Sequence, residues 1–265
     1  MHFRSLVFLI LFCCLSTGWV DAQPPVWPTA AAHSHNDYLQ GLPLAKAYGQ
    51  NFGSVEADVF FLGDSLHVAH TQQEIRAGQT LDHLYLKPLM ALVKKNGGTV
   101  YPDAKRTLQL LIDLKTPYET TLSKLIEELS PYRKMLYPGG TIKVVISGNT
   151  PPPSEFNKYP DFISFDGRPE TSYSKEQLKR IGLISQSFRK YSKWDGTTQL
   201  PDSDREKLRT VVDGVHRQGK PFRFWANPDR IEGWKMLQEL NVDYLNTDKI
   251  DELATFLKNN QPPKR

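Results

Sequence analysis

The stretch Ser54-Val55-Glu56-Ala57-Asp58-Val59-Phe60-Phe61 sets two carboxylates into a segment that is otherwise apolar, β-branched or aromatic. Such a run predicts a strand. Successive strand side chains alternate between faces, so Glu56 and Asp58 point into one shared space, with small Ala57 between them. Two like charges side by side in an apolar segment need a cation. Carboxylate oxygens without a thiolate suit a hard ion, one Mg²⁺ or Ca²⁺, and Asp113 in Ile112-Asp113-Leu114-Lys115 offers a third ligand.

The same two-residue spacing recurs outward from that stretch, in His33-Ser34-His35, Asp113-Leu114-Lys115, Trp225-Ala226-Asn227 and Asn246-Thr247-Asp248. Each lies at the end of a strand candidate. These candidates are 29–35, 54–61 with 66–70 close behind, 108–115, 142–147, 162–166, 183–188, 221–225 and 244–247, and helix patterns fall between them at 42–50, 81–95, 121–136, 175–181, 204–218, 231–240 and 250–258. The proline-rich segment 151–160 reads as a loop replacing one helix. With 54–70 counted as one interrupted strand there are eight strands, nearly all followed by a helix, which predicts an α/β fold, a single (β/α)8 TIM-type barrel. An open doubly wound sheet also alternates strand and helix. The barrel is preferred because polar, chemically capable residues end nearly every strand rather than gathering at one switch point.

With 265 residues, 39% hydrophobic and 23% charged, the chain has enough apolar material for one large core and is not disordered, collagenous or coiled coil. The net charge is +4 without any long run of Lys or Arg, so nucleic acid is not an expected partner. The first 22 residues read as a signal peptide: Arg4 precedes an apolar run from Leu6 to Leu15, and Val20-Asp21-Ala22 resembles a cleavage site. Export, to the outside or to a periplasm, is the expectation. Both cysteines, Cys13 and Cys14, fall in that segment, which leaves the mature chain without a thiol, unless Cys14 is a lipid-modified anchor. A proline-rich lead-in at 23–28, the barrel at 29–260 and a flexible tail at 261–265 complete the organisation.

Candidate catalytic groups follow from the strand ends. His70 closes Leu66-His67-Val68-Ala69-His70, on the face of Leu66 and Val68, and with a histidine of the first strand would supply a general base and a general acid. His67 and His83 read as surface. Lys115 suits an oxyanion, or else forms a structural pair with Asp113. Arg168, in Ser164-Phe165-Asp166-Gly167-Arg168, is a candidate phosphate ligand or part of a rim turn. Trp225 lines a pocket or packs in the core.

These motifs resemble the ordered signatures of the phospholipase-C-like phosphodiesterase superfamily, which includes glycerophosphodiester phosphodiesterases, phosphatidylinositol-specific phospholipases C and sphingomyelinase-D-type phospholipases. The residues concerned are Ala32-His33, Ser54 to Val59, Leu66 to His70, Ile112 to Lys115 and Tyr244 to Asp248. His33-Ser34-His35-Asn36-Asp37-Tyr38 is similar to the branch described with the fungal altered-inheritance-of-mitochondria protein 6, and Asp113-Leu114-Lys115-Thr116 to the sphingomyelinase-D type. The resemblance implies a (β/α)8 barrel, a divalent metal on Glu56, Asp58 and Asp113, and acid/base histidines at His33 and His70, with His35 as the alternative in the first strand. Asn36 joins Arg168 and Trp225 as a substrate-binding candidate. In glycerophosphodiester phosphodiesterases Arg-Gly commonly follows the first His, where this chain has Ser34-His35, and an Asp commonly follows the second, where it has Thr71.

The function expected is metal-dependent cleavage of a glycerophosphodiester or a phospholipid head-group phosphodiester, with a small-molecule or lipid substrate and membrane contact through that substrate. Two other readings stand beside it. One makes His33 and His35 paired metal ligands of an amidohydrolase-type barrel, and the other makes the barrel a non-catalytic binding module.

Overall fold

The structure is a computed structural model and describes residues 28–260. The proposed signal segment, both cysteines, most of the proline-rich lead-in and the C-terminal tail lie outside the described residues. Eight parallel strands close on themselves: β1 (Ala32–Ser34), β2 (Ser54–Leu62), β4 (Leu108–Leu114), β5 (Ile142–Gly148), β6 (Ile163–Gly167), β7 (Ile181–Ser187), β8 (Phe222–Trp225) and β9 (Tyr244–Thr247). Closure is made by β1, which pairs with both β2 and β9. The helices between them are α1 (Ala45–Gly49), α2 (Lys87–Lys95), α3 (Tyr118–Leu129), α4 (Lys175–Lys179), α5 (Asp202–His216), α6 (Ile231–Glu239) and α7 (Ile250–Asn259). Among the described residues no helix is long and apolar enough to cross a membrane.

The segment 54–70 is not one interrupted strand. β3 (Ser65–Val68) turns back antiparallel on the upper part of β2, with Val59 opposite Val68 and Leu62 opposite Ser65. Gly63, at φ +62°, takes the left-handed backbone that a two-residue hairpin turn requires. The eight-strand count survives because β3 lies outside the barrel. Two helix patterns also end early. Residues 130–135 tighten into a 3-10 turn after α3, and α4 stops at Lys179 so that Ile181 begins β7. The loop at 151–160 contains a 3-10 turn at Pro153–Lys158.

Strand parity explains where the core sits. Val55, Ala57 and Val59 of β2, Leu110, Ile112 and Leu114 of β4, and Val144 and Ile146 of β5 belong to the main apolar cluster, which packs the barrel against its helices. The alternate residues face inward, and they are polar towards the C-terminal ends. Leu111, Val145 and Leu183 form a separate small cluster inside the barrel, with Tyr244 against it. This plug floors the polar space above.

The segment after β1 is held by a buried carboxylate. Asp37 accepts hydrogen bonds from Ser34 Oγ (2.7 Å), the Leu44 backbone N–H (2.5 Å) and Tyr85 Oη (3.0 Å). Burial still pushes its pKa up, against those three bonds. Asp37→Ala would strand the Leu44 N–H and the Tyr85 hydroxyl, and it is expected to cost about 3 kcal/mol in urea unfolding. Wild-type stability in that variant would show that Asp37 does not anchor the segment.

Candidate active site

A cavity of about 250 Å³ opens at the C-terminal ends of the strands, lined by His35, Asn36, Glu56, Asp58, His70, Asp113, Lys115, Ser147, Gly148, Arg168, Arg223 and Trp225. Strand register assembles it. Asp58 is level with Asp113 on β4, which is level with Ser147 on β5. Oxygens of Glu56, Asp58 and Asp113 all lie within 4.8 Å of one another. Glu56 and Asp58 are buried, so they are not solvated acids on an open face.

Asp58 Oδ2 accepts hydrogen bonds from Tyr38 Oη (2.9 Å) and Lys115 Nζ (3.0 Å), whereas its Oδ1 is buried without any hydrogen-bond partner. Burial raises the pKa of Asp58, the Glu56 charge raises it further, and Lys115 and Tyr38 offset only part. Burial likewise takes Asp113 up to about 6, although Lys115 lies 3.4 Å away. Lys115 therefore bridges two acids, and its shorter contact is to Asp58 rather than to the expected Asp113. A buried, unpaired carboxylate oxygen beside two further carboxylates is chemistry suited to a hard divalent cation.

Below this layer sits a charge that the sequence reading passed over. Arg223, on β8, is buried, and its Nη1 donates to Glu56 Oε2 (2.6 Å) and Asn246 Oδ1 (3.1 Å). The signal was present in Phe222-Arg223-Phe224, a lone cation in an apolar strand with the parity of Trp225. Burial alone would raise the Glu56 pKa, but Arg223 and the His33 hydrogen bond outweigh it and hold the carboxyl well below its usual range.

The two first-strand histidines differ. His33 is fully buried and does not line the cavity. His33 Nδ1 is hydrogen-bonded with Ser54 Oγ (2.7 Å), which also accepts from Gln109 Nε2 (2.9 Å), and His33 Nε2 lies against both Glu56 Oε2 (2.8 Å) and Arg223 Nη1. Burial and the adjacent Arg223 push the His33 pKa down to about 3, so the ring is neutral. His35 does line the cavity. Its Nδ1 is held by Asp248 Oδ1 (2.8 Å), and Nε2 is uncommitted. Burial lowers its pKa, but the Asp248 hydrogen bond and the Glu56 charge prevail and the net shift is upward. Neither histidine joins the carboxylate cluster, and both ring nitrogens of His33 are engaged, by Ser54 and Glu56, rather than presented with His35 as a ligand pair.

His70 lies beyond the end of β3 and is exposed at the mouth, so it does not share the core face of Leu66 and Val68. Its Nδ1 is 3.3 Å from Tyr38 Oη and 3.5 Å from Asp58 Oδ2. Tyr38, another residue absent from the sequence-derived set, links the first loop to both. Asn36, in a left-handed conformation at φ 44°, places Oδ1 2.9 Å from the same hydroxyl, as an alternative acceptor to Asp58 for its single proton. His67 is half-buried and His83 is exposed.

Arg168 is clamped rather than free in a turn. Asp166 Oδ2, buried on β6, accepts from Arg168 Nη1 (2.7 Å), Ser147 Oγ (2.9 Å) and Ser185 Oγ (2.6 Å), which leaves the rest of the guanidinium for the cavity. Trp225 is 38% exposed at the lip and is not core. It does not share its space with Asn227. Ala226, at φ 54°, breaks the alternation, and the Asn227 amide turns to the carbonyls of Asn246 and Pro228.

Comparison with known proteins places this geometry. The family model described as the AIM6-like phosphodiesterase domain matches residues 21–153, which include both first-strand histidines, the three carboxylates, His70 and Lys115. The chain belongs to this family. Its relatives include the altered inheritance of mitochondria protein 6 homolog of Arthroderma benhamiae, 25% identical over 83% of this chain and 81% of that protein. Another is altered inheritance of mitochondria protein 6 of Eremothecium gossypii, 27% identical over 84% and 68%. Among solved structures, a glycerophosphodiester phosphodiesterase from Agrobacterium tumefaciens superposes with a TM-score of 0.49 and 13% identity, covering 86% of this chain and 98% of that one.

The Glu56–Arg223 pair gives a stability test. Arg223→Met would leave a buried carboxylate without its cation, and a loss of about 3–5 kcal/mol is expected, with Glu56→Gln in the same chain restoring much of it. Additive losses in the double variant would mean that the two residues are not coupled.

Proposed function

We propose that this phosphodiesterase domain is a divalent-metal-dependent enzyme that cleaves a phospholipid or glycerophosphodiester head-group linkage, with His70 as general base and His35 as general acid. The observation that carries the reading is the convergence of Glu56, Asp58 and Asp113 around the unpaired Asp58 Oδ1. Those three residues would hold Mg²⁺ or Ca²⁺. Such an ion, when bound, draws charge from a phosphoryl oxygen and makes phosphorus more open to attack.

The chain's own groups supply the remainder. His70 Nδ1–H donates to Tyr38 Oη, whose own proton goes to Asp58, and this tautomer leaves Nε2 bare to take a proton from the attacking hydroxyl. As the new P–O bond forms, the bond to the leaving alcohol breaks, and His35 Nε2 delivers its proton to that oxygen. Asp248 favours the protonated ring needed for this. Lys115 and the clamped Arg168 face the charge that builds on the phosphoryl oxygens. His33 acts at one remove, by holding Glu56. Attack by water gives a monoester, and attack by a neighbouring substrate hydroxyl gives a cyclic phosphate.

A lipid substrate, met at a membrane surface, is favoured by the rim. Leu39 in the 3-10 turn after β1, Leu42 in the loop that follows, Trp225 at the end of β8 and Ile231 at the start of α6 are exposed, all in segments at or after the C-terminal ends of strands. Gln40 Nε2 donates to Asp248 O (3.0 Å) and the Asp248 N–H to Asp229 Oδ2 (3.0 Å), which ties those loops into one surface. The reading also takes residues 1–22 as an export signal.

Phosphorus NMR on a panel of glycerophosphodiesters, lysophospholipids, sphingomyelin and phosphatidylinositol tests the proposal. Turnover of at least one class, abolished by EDTA and restored by Mg²⁺ or Ca²⁺, is expected. Glu56→Gln and Asp58→Asn should weaken metal binding in calorimetry with the fold retained. Turnover indifferent to EDTA, together with unchanged metal affinity in both variants, would remove the metal from the scheme.

The acid/base assignment has its own signature. His35→Ala and His70→Ala should each lower kcat by about a hundredfold or more. Asp248→Asn removes the group that raises the His35 pKa, so the alkaline limb of the pH–rate profile should move to lower pH as the acid deprotonates earlier. The same sign holds for stability. The His35–Asp248 contribution is present below the unfolded histidine pKa and is lost as pH rises through the raised folded one. An alkaline limb unmoved in Asp248→Asn would transfer the acid role away from His35.

A further inference from the structure

At the opposite end of the barrel, below the Leu111–Val145–Leu183 plug, a second cavity of about 410 Å³ lies among the N-terminal ends of β5, β6 and β7. Lys143, Arg180 and Lys220 line it. Lys143 precedes Val145 by two residues on β5 and so projects into the barrel's lower mouth. Its ammonium has an aromatic neighbour, the Tyr137 ring at 5.6 Å, but no carboxylate partner among the described residues. Arg180 is fixed by carbonyls, with Nη1 donating to Tyr159 O (3.0 Å) and Nη2 to Pro160 O (2.8 Å) and Ile163 O (2.9 Å). Lys220 donates to Ile181 O at 2.8 Å.

The two acids nearby are spent elsewhere. Asp161, in the cavity wall, is held bidentately by Arg133 at 2.7 and 3.0 Å, and Glu176 holds the fourth lining cation, Lys179, at 2.8 Å. Three cations thus share one recess with only neutral partners. Burial pushes all three towards losing their protons, and only the charge of Asp161 acts against this, at Arg180. A recess whose lining carries four cations against one carboxylate concentrates anions. Because the carbonyl bonds hold Arg180 and Lys220 in place, the donors are set before any ligand arrives.

We propose that this lower cavity is an anion site, distinct from the catalytic mouth, which takes a small oxyanion of the phosphate class on Lys143, Arg180 and Lys220. The proposal does not depend on the reaction assigned above.

Thermal melting and calorimetry of the full chain with inorganic phosphate or sulfate, against chloride at matched ionic strength, provide the test. Phosphate at ten times its dissociation constant should raise the melting temperature by roughly 3 °C. Lys143→Met combined with Lys220→Met should abolish this response, and because the change removes uncompensated charge the variant should fold at least as stably as wild type. Lys143→Arg should keep the response. Phosphate bound at the catalytic mouth would give the opposite pattern, a response that persists in Lys143→Met/Lys220→Met and disappears in Lys115→Met/Arg168→Met. That pattern, or the absence of any phosphate or sulfate effect beyond chloride, would overturn the proposal.

Discussion

The two-residue alternation of the strand is the constraint on which the other features rest. In a closed parallel barrel both faces of every strand are covered, one by the helices and one by the barrel's own interior. Val55, Ala57 and Val59 meet the first requirement, and Glu56 and Asp58 exploit the second. Parallel register then sets Asp58 level with Asp113, so a metal-type cluster arises from strand pairing without any loop having to place it. Rigid strands give the carboxylates fixed positions. The groups assigned to proton transfer, His35 and His70, sit just past the strand ends, where the chain has more freedom.

Burying this much charge is unfavourable unless each group has a partner, and the barrel answers in layers. Arg223 balances Glu56 at the cavity lining, with neutral His33 hydrogen-bonded to the same carboxylate, and Asp166 organises Arg168, Ser147 and Ser185 at one wall. Buried side-chain atoms without a hydrogen-bond partner remain at Asp58 Oδ1, Asp166 Oδ1, Arg223 Nε and Asn227 Oδ1. Of these, Asp58 is the one that belongs to the three-carboxylate cluster, and a buried, unpaired carboxylate oxygen beside two further carboxylates is chemistry suited to a bound cation.

Legibility from sequence followed the same physics. β9 begins and ends as the pattern indicates, because Tyr244 to Thr247 alternates cleanly between polar residues. Glu56, Asp58 and Asp113 were readable because a charge in an apolar strand advertises itself, and Lys115 and Arg168 because each immediately follows such a strand. Arg223 obeys the same rule and was passed over in favour of its aromatic neighbour. The β2–β3 hairpin was hidden because alternation continues through the turn, with only Gly63-Asp64 to mark it. The choice between His33 and His35 was beyond local pattern, since both share one face of β1 and differ in depth, a property set by β2 and β8. Tyr38 was equally out of reach, as its partners come from three separate segments.

Charge balance at the mouth bears on the chemistry proposed for it. Four carboxylates, those of Glu56, Asp58, Asp113 and Asp166, face three cations, Arg223, Lys115 and Arg168, while Asp248 is matched with His35. With all seven ionised, the inner set carries one uncompensated negative charge, which agrees with the upward pKa of Asp58 and Asp113. A divalent cation would turn that excess into a single positive charge, and a phosphodiester carries one negative charge to meet it. A neutral ester or amide would leave the positive charge unanswered. On this count the proposed metal-loaded interior would suit a singly charged phosphodiester better than a neutral ester, before any contact with the leaving group is made.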